Sequence, residues 1–271
     1  MTQLEKATRF KTLHEGPAFL IPNPWDIGTA RILAGAGFQA LATSSAAAAA
    51  SLGRKDGDLT RDEAILHARL IADATDLPVS ADLEQGFGDG PEGVAETVRR
   101  AAAAGLVGCT IEDATRDSKH PLFDDEPAVD RIHAGADAAR SLNFPFMLTA
   151  RAHGLLFEPA SLDAVILRLQ QFEKAGADVL FAPGLPDLDA VRQVCAALTK
   201  PVNFMVGIQG KSFPVGDLVA AGVKRISLAT SLYRAAMSGL VDAVREIQER
   251  GEFTFLDRAV TTAELLSMMR A

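Results

Sequence analysis

The stretch Val79–Asp89, V-S-A-D-L-E-Q-G-F-G-D, joins a short apolar run to two carboxylates and then to a turn with two glycines. Asp82 and Glu84 are two positions apart, so an extended chain directs both to one face. The figure returns at Gly108–Asp113, where G-C-T-I-E-D again stops an apolar run on acids. Carboxylates from neighbouring strand ends make an oxygen-rich pocket for a hard divalent cation, Mg2+ first and Mn2+ as the alternative. Asp82 is the expected direct ligand, with Glu84 and Glu112 acting directly or through water. Asp56 or Asp58 reaches the same water shell. The competing expectation is that such acids merely cap helices or face solvent. Gly86 and Gly88, which permit a close backbone approach, favour the metal site.

Further candidates flank these acids. Arg151 closes Leu148-Thr-Ala-Arg-Ala-His153, and a guanidinium there can hold a carboxylate through two parallel hydrogen bonds or pair with one of the acids above. His153 has the spacing of a general acid/base beside it. Thr43, Ser44, Ser45 and Ala46 combine small side chains with free backbone N–H groups, a cradle for carboxylate or phosphoryl oxygens or simply a tight turn. Trp25 suits a pocket wall, and Asn203 joins the substrate-binding set. Cys109 and Cys195 read as core residues, and no Walker A sequence is present.

The elements that must position these residues follow from one recurring punctuation. Ala-rich helical stretches end near Ala-Gly and pass into short β-type runs, at Gly37, Gly105, Gly176 and Gly222. Repeated helix-to-strand hand-offs mean parallel strands with helical crossovers. The pattern predicts strands at Ala18–Ile21, Ala40–Thr43, Val79–Ala81, Gly108–Ile111, Phe146–Ala150, Val179–Phe181, Val202–Val206 and Arg225–Leu228. Helices fill the intervals, and an eighth, Leu232–Glu249, follows the last strand. Eight alternating units predict an α/β fold, a (β/α)8 TIM barrel spanning residues 1–271 as one domain. Thr2–Leu13 is expected to close one end. Residues 251–271 form an extension whose Met- and Leu-rich helix needs a surface, on its own barrel or on a neighbouring subunit. Two loops follow strand ends, Ser44–Thr60 and Asp113–Ala128, the second a candidate lid.

Composition limits the partners. The 271 residues carry a net charge of -8 with no basic run, which argues against nucleic acid and anionic membranes. Two cysteines make no secreted framework, the first residues show no signal-peptide pattern, and no apolar run reaches membrane-spanning length. A cytoplasmic protein is expected.

Pro22-Asn-Pro-Trp-Asp26, Ser51-Leu-Gly53 with Asp56 and Leu59-Thr60, Ser80-Ala-Asp-Leu-Glu-Gln-Gly-Phe-Gly88, Ile111-Glu-Asp113, Ala150-Arg151 and Phe181-Ala-Pro-Gly-Leu185 together resemble the isocitrate lyase/phosphoenolpyruvate mutase superfamily. The resemblance implies a Mg2+-dependent barrel enzyme that makes or breaks C–C or P–C bonds beside a carboxylate, through a metal-held enolate. It implies metal-site roles for Asp82, Glu84, Glu112 and Asp56, a substrate-carboxylate role for Arg151, and oxyanion contacts near Ser44–Ala46. It also implies a homo-oligomer, tetramer or dimer, in which a C-terminal helix packs on a neighbour. Lyase members carry a cysteine on the mobile loop. Here that loop reads Arg116-Asp-Ser-Lys-His-Pro121, leaving Lys119 or His120 as the proton donor. Glu84 stands in place of the commoner aspartate, and His153 where many members have Asp. The expected function is cleavage of a small 2-oxo or 2-hydroxy acid in the manner of isocitrate or 2-methylisocitrate lyase. Phosphonopyruvate mutase or hydrolase chemistry and oxaloacetate hydrolysis are the rival reactions. A barrel that binds an oxo acid without turnover is the alternative of another class.

Overall fold

Gly37, Gly105, Gly176 and Gly222 all take positive φ, between 87 and 106°, so each Ala-Gly hand-off ends its helix in the left-handed conformation that the sequence predicts. The computed structural model describes residues 1–88, 90–157 and 160–269. Asp89, at the end of the strand-turn stretch, and Arg270 and Ala271, at the end of the extension, lie outside the described residues.

The strands are β1 (Phe19–Ile21), β2 (Leu41–Ala42), β3 (Val79–Asp82), β4 (Gly108–Glu112), β5 (Met147–Arg151), β6 (Val179–Phe181), β7 (Val202–Met205) and β8 (Arg225–Ser227), the even-numbered ones each following a hand-off. They pair in parallel in the order β1-β8-β7-β6-β5-β4-β3-β2. Between β1 and β2 the ring is joined by Ala42 N–H donating to the Pro22 carbonyl at 3.0 Å and Asn23 Nδ2 donating to the Thr43 carbonyl at 2.9 Å. The fold is a (β/α)8 barrel.

In chain order the helices are α1 (Gln3–Glu15), α2 (Ile27–Gly35), α3 (Ser45–Ser51), α4 (Arg61–Ala74), α5 (Pro91–Ala103), α6 (Asp125–Arg140), α7 (Gly154–Phe157), α8 (Leu162–Lys174), α9 (Leu188–Ala197), α10 (Val215–Ala220), α11 (Ser231–Arg250) and α12 (Thr262–Met268). The capping box at Thr60 and Glu63 and the Pro91 start of α5 form as their spacing predicts. Outward strand residues such as Ala81, Ile111, Leu148 and Ile226 pack with the helices in one buried cluster. Inside the barrel, a smaller cluster that includes Phe10 of α1, Phe19, Ile21 and Met147 closes the N-terminal end. Polar side chains therefore collect at the other end.

Four details depart from the sequence reading. The Ala-rich segment after β2 is helical, because Ser44 Oγ accepts the Ala47 N–H at 3.3 Å and alanine favours helix. β3 ends at Asp82, and Glu84 takes φ 49°, so the two acids are parted by a turn and not aligned along one strand. The loop after β4 ends earlier than expected, with α6 starting at Asp125 and an antiparallel bridge between Ala114 and Leu122. Finally, α11 follows β8 but leaves its barrel uncovered: only Glu246 is buried. α12 caps at Thr261 with Glu264, as expected, and lies against α2, where the Met268 carbonyl occupies the space that a Cβ on Gly35 would need.

Candidate active site

Two adjoining cavities open at the C-terminal end of the barrel. The central one, about 220 Å³, reaches into the ring and is lined among others by Asp82, Arg151, Asn203, Arg225 and Ser227. The second, about 330 Å³, lies toward the loop after β4 and is lined among others by Glu84, Glu112, Arg116 and His153. Ser45, Asp56 and Arg151 border both. Inward side chains of β3, β4, β5 and β7 thus converge with the first turn of α3, where barrel enzymes carry their chemistry.

Asp82 is fixed from the β2 side. Ser45 donates to its Oδ2 through N–H and Oγ, both at 3.1 Å, and the Asp82 N–H donates to Thr43 Oγ1 at 3.0 Å. Oδ1 receives only a 3.5 Å approach from the Glu84 N–H. Burial pushes the Asp82 carboxyl up, while the Arg151 charge opposes it. Glu84 is raised to about 7, first by burial, against the attraction of Arg116. Arg116 Nη2 meets Glu84 Oε2 at 3.1 Å and also donates to the Leu59 carbonyl, while Glu84 Oε1 is buried without a partner.

Glu112 behaves oppositely. Burial would raise it, but Arg151 at 3.3 Å and His153 Nε2 at 3.0 Å share its Oε2 and bring it down to about 2. Arg151 also lies over the Phe181 ring, 4.9 Å from its centroid, and His153 stacks on Phe157. Asp113 positions this group from behind: it accepts the His153 N–H at 2.8 Å and meets Arg168 at 3.2 Å.

The donor set suits a hard cation. Asp82 has an oxygen free of strong bonds, Glu84 has an orphaned buried oxygen, and Glu112 is held anionic. Among the described residues no group of three or more His, Cys, Asp or Glu side chains is placed to hold a metal ion as it stands. One or two direct carboxylates with water completing the octahedron is the arrangement open to Mg2+.

The structure brings together Thr43, Ser44, Ser45, Ala46, Asp56, Asp82, Arg151 and Asn203 on the central cavity, and Glu84, Glu112 and His153 beside it. Three expected residues lie elsewhere. Trp25 packs edge-on against Tyr233 with centroids 5.3 Å apart, and its carbonyl meets His67 Nε2. Lys119 and His120 are exposed on the loop after β4 and line neither cavity. Gly86 and Gly88 admit α5 and not a ligand: a Cβ on Gly88 would meet Gly93 Cα at 2.5 Å. Sequence reading passed over Arg116 and Arg225. For Arg225 a signal existed, a basic residue at an inward position of a strand; for Arg116 only the fold reveals that the lid returns to Glu84.

The described residues contain no helix long and apolar enough to cross a membrane. A family model described as phosphoenolpyruvate phosphomutase matches residues 10–248. The 2-methylisocitrate lyase of Escherichia coli K12 is 34% identical over 242 residues, covering 85% of this chain and 80% of that protein. A Burkholderia cenocepacia chain provisionally assigned as a lyase/mutase has a crystal structure that matches with TM-score 0.96 and 47% identity, covering 99% and 97% of the two chains. The phosphoenolpyruvate phosphomutase of Streptomyces platensis subsp. rosaceus matches with TM-score 0.84 and 27% identity, covering 97% and 94%.

Proposed function

The chain belongs to the phosphoenolpyruvate phosphomutase family, within the isocitrate lyase/phosphoenolpyruvate mutase superfamily, and we propose that it is a divalent-metal-dependent C–C lyase of a small 2-oxo or 2-hydroxy carboxylic acid. The observation that carries this reading is Asp82, whose Oδ2 is gripped twice by Ser45 while Oδ1 is left for a ligand beside Arg151.

Asp82 would hold Mg2+ or Mn2+ directly, with Glu84, Glu112 and Asp56 reaching it directly or through water. Bound there, the cation supplies Lewis-acid stabilisation for negative charge spreading onto a substrate oxygen. Arg151 orients a substrate carboxylate, its plane steadied by Phe181 and its charge only partly spent on Glu112. Ser44, Ser45 and Ala46 border the same space. His153, fixed through Nε2 to Glu112 and through N–H to Asp113, sits where a proton can be held or moved. Lid closure would carry Lys119 and His120 toward the cavity and exclude water from the reacting carbon.

This reading treats residues 1–271 as one domain with the extension 251–271, in a cytoplasmic homo-oligomer, dimer or tetramer. The exposed apolar face of α11 supports self-association. The test is a panel of isocitrate, 2-methylisocitrate, oxaloacetate and phosphonopyruvate with Mg2+, assayed for glyoxylate, pyruvate, oxalate and phosphate. Glyoxylate or pyruvate from a hydroxy tricarboxylate, abolished by chelator and by Asp82→Ala, is expected. Phosphate from phosphonopyruvate or oxalate from oxaloacetate would move the assignment to the phosphonopyruvate hydrolase or oxaloacetate hydrolase reaction, and isomerisation of phosphonopyruvate to phosphoenolpyruvate, with no phosphate released, to the mutase. Melting shifts without product would replace catalysis with oxo-acid binding alone.

A further inference from the structure

Arg225 projects from β8 into the barrel. It is only 4% exposed, yet it lines the central cavity with Asn203, Ser227 and Asp82. Its Nε donates to Asn203 Oδ1 at 2.8 Å on the adjacent β7, and its Nη2 donates to Thr149 Oγ1 at 3.0 Å on β5. That second bond reaches past two intervening strands, so the guanidinium lies across the interior of the ring. Asn203 is itself fixed, its Nδ2 donating to Ser227 Oγ at 3.0 Å. The orientation is therefore set by neutral partners alone.

The charge has no counterpart. Among the described residues no carboxylate forms an ion pair with Arg225, and its Nη1 is buried without a hydrogen-bond partner. The titratable group toward the closed end, His14, is no anion; burial and then the Arg225 charge lower it to about 3. Burying an unpaired cation is among the costliest arrangements in a protein interior. An arginine keeps its charge where a lysine or histidine would shed it. A methionine or leucine would fill the same volume without that cost.

We propose that Arg225 is a specificity-determining residue whose charge, deep in the central cavity, selects ligands with a second carboxylate. The inference rests on the oxo-acid reading above and narrows it to 2-oxo or 2-hydroxy acids that carry at least one further carboxylate. Arg151 and Asp82, toward the mouth, take the hydroxy- or oxo-acid end, while the far carboxylate extends toward Arg225, Asn203 and Ser227. At about 220 Å³ the cavity is below the ~300–1,000 Å³ of sites for drug-sized ligands, a fit for an acid of a few carbons.

Racemic lactate and racemic malate share the 2-hydroxy-acid head and differ by one carboxylate, so their calorimetric affinities with Mg2+ report the preference without turnover. The wild-type protein is expected to bind malate at least about tenfold tighter than lactate. R225M is expected to remove most of that ratio, and R225K to keep part of it. Circular dichroism and the melting temperature establish that each variant is folded. A wild-type ratio near one, or a ratio unchanged in folded R225M, overturns the inference and leaves the parent reading in place. Failure of both acids to bind the wild type with Mg2+ overturns both.

Discussion

Ser45 donates twice to a single oxygen of Asp82, through its backbone N–H and its hydroxyl, both at 3.1 Å. The helix start of α3 thereby fixes the rotamer of the acid on β3, two elements that meet only in the folded barrel. Asp82→Asn keeps the shape and removes the charge, so the rise in melting temperature on adding Mg2+ should vanish while metal-free stability holds or improves, since burial already disfavours the carboxylate. Ser45→Ala removes one of the two donors, worth about 1 kcal/mol. Asp82 should then ionise at higher pH still, moving the acid limb of Mg2+ binding upward. Mg2+ titrations followed by calorimetry at several pH values check both outcomes.

Glu84 carries the clearest pH signature. Burial raises it to about 7 from an ordinary value of 4.5, against the pull of Arg116. The folded protein therefore binds more protons than the unfolded chain between those values, and stability falls as pH rises through them. Glu84→Gln should remove this slope: variant and wild type match near pH 4, and the variant is more stable at pH 8 by on the order of 1–3 kcal/mol. Urea unfolding in EDTA across that range is the measurement. A wild-type advantage at pH 8 would show that Arg116 more than offsets burial.

Glu112 has the opposite sign. Arg151 and His153 outweigh burial and hold it down to about 2, so its contribution is present above pH 4.5 and is lost as pH falls toward 2. Arg151→Met should cost on the order of 1–3 kcal/mol near pH 7 by leaving a buried carboxylate with one partner fewer, and should shift acid unfolding to higher pH. If Arg151 also holds the substrate carboxylate, KM rises and kcat falls together. Steady-state kinetics and acid-unfolding midpoints on the same variant separate the two effects.

The barrel and most of its acids were legible because their signals are local. Ala-Gly hand-offs announce four of the eight strands, β2, β4, β6 and β8, alternation supplies the rest, and carboxylates at strand ends have only one end of a barrel to occupy. Glu84 was misread in posture, since a left-handed residue at 49° breaks the strand alternation that linked it to Asp82. Gly86 and Gly88 do permit the close backbone approach that their type predicts, but Val94 and Gly93 of α5 make it, a contact between segments that no spacing announces. Lys119 and His120 sit on a loop whose exposed position leaves them outside both cavities, and sequence carries no signal for a loop's resting place. Arg225 carried a signal as a basic residue at an inward strand position, but its partners, Asn203 and Thr149, belong to other strands.

The contact of Gly88 with Gly93 gives a stability prediction independent of chemistry. A Cβ on Gly93 would sit 2.6 Å from Gly88 Cα, a backbone atom that cannot swing aside. Helix propensity alone favours alanine over glycine by about 1 kcal/mol. The clash should win, giving Gly93→Ala a net loss on the order of 1–3 kcal/mol. The site turn is pushed at the same time, so weaker Mg2+ binding should accompany the loss. Equal or greater stability in urea would mean that the turn yields freely and does not brace Glu84.

The helix after β8 makes the last prediction. Leu240, Val241, Val244 and Ile247 are 57, 44, 41 and 40% exposed, and their spacing of one, three and three places them on one face of α11. A stripe of four aliphatic side chains facing water is unfavourable by about 25 cal/mol for each Å² that a partner could cover. A second copy of the chain presents the same stripe, which suits a self-complementary two-fold contact. Light scattering at micromolar concentration should therefore give the mass of a dimer or tetramer. Leu240→Glu with Val244→Glu places like charges on that face and should shift the mass toward monomer, with near-native circular dichroism because α11 contributes little to its own barrel core. A monomeric wild type would sink the idea, and an undisturbed oligomer in the double variant would place the contact on another face, with Leu265 and Leu266 of α12 the next to substitute.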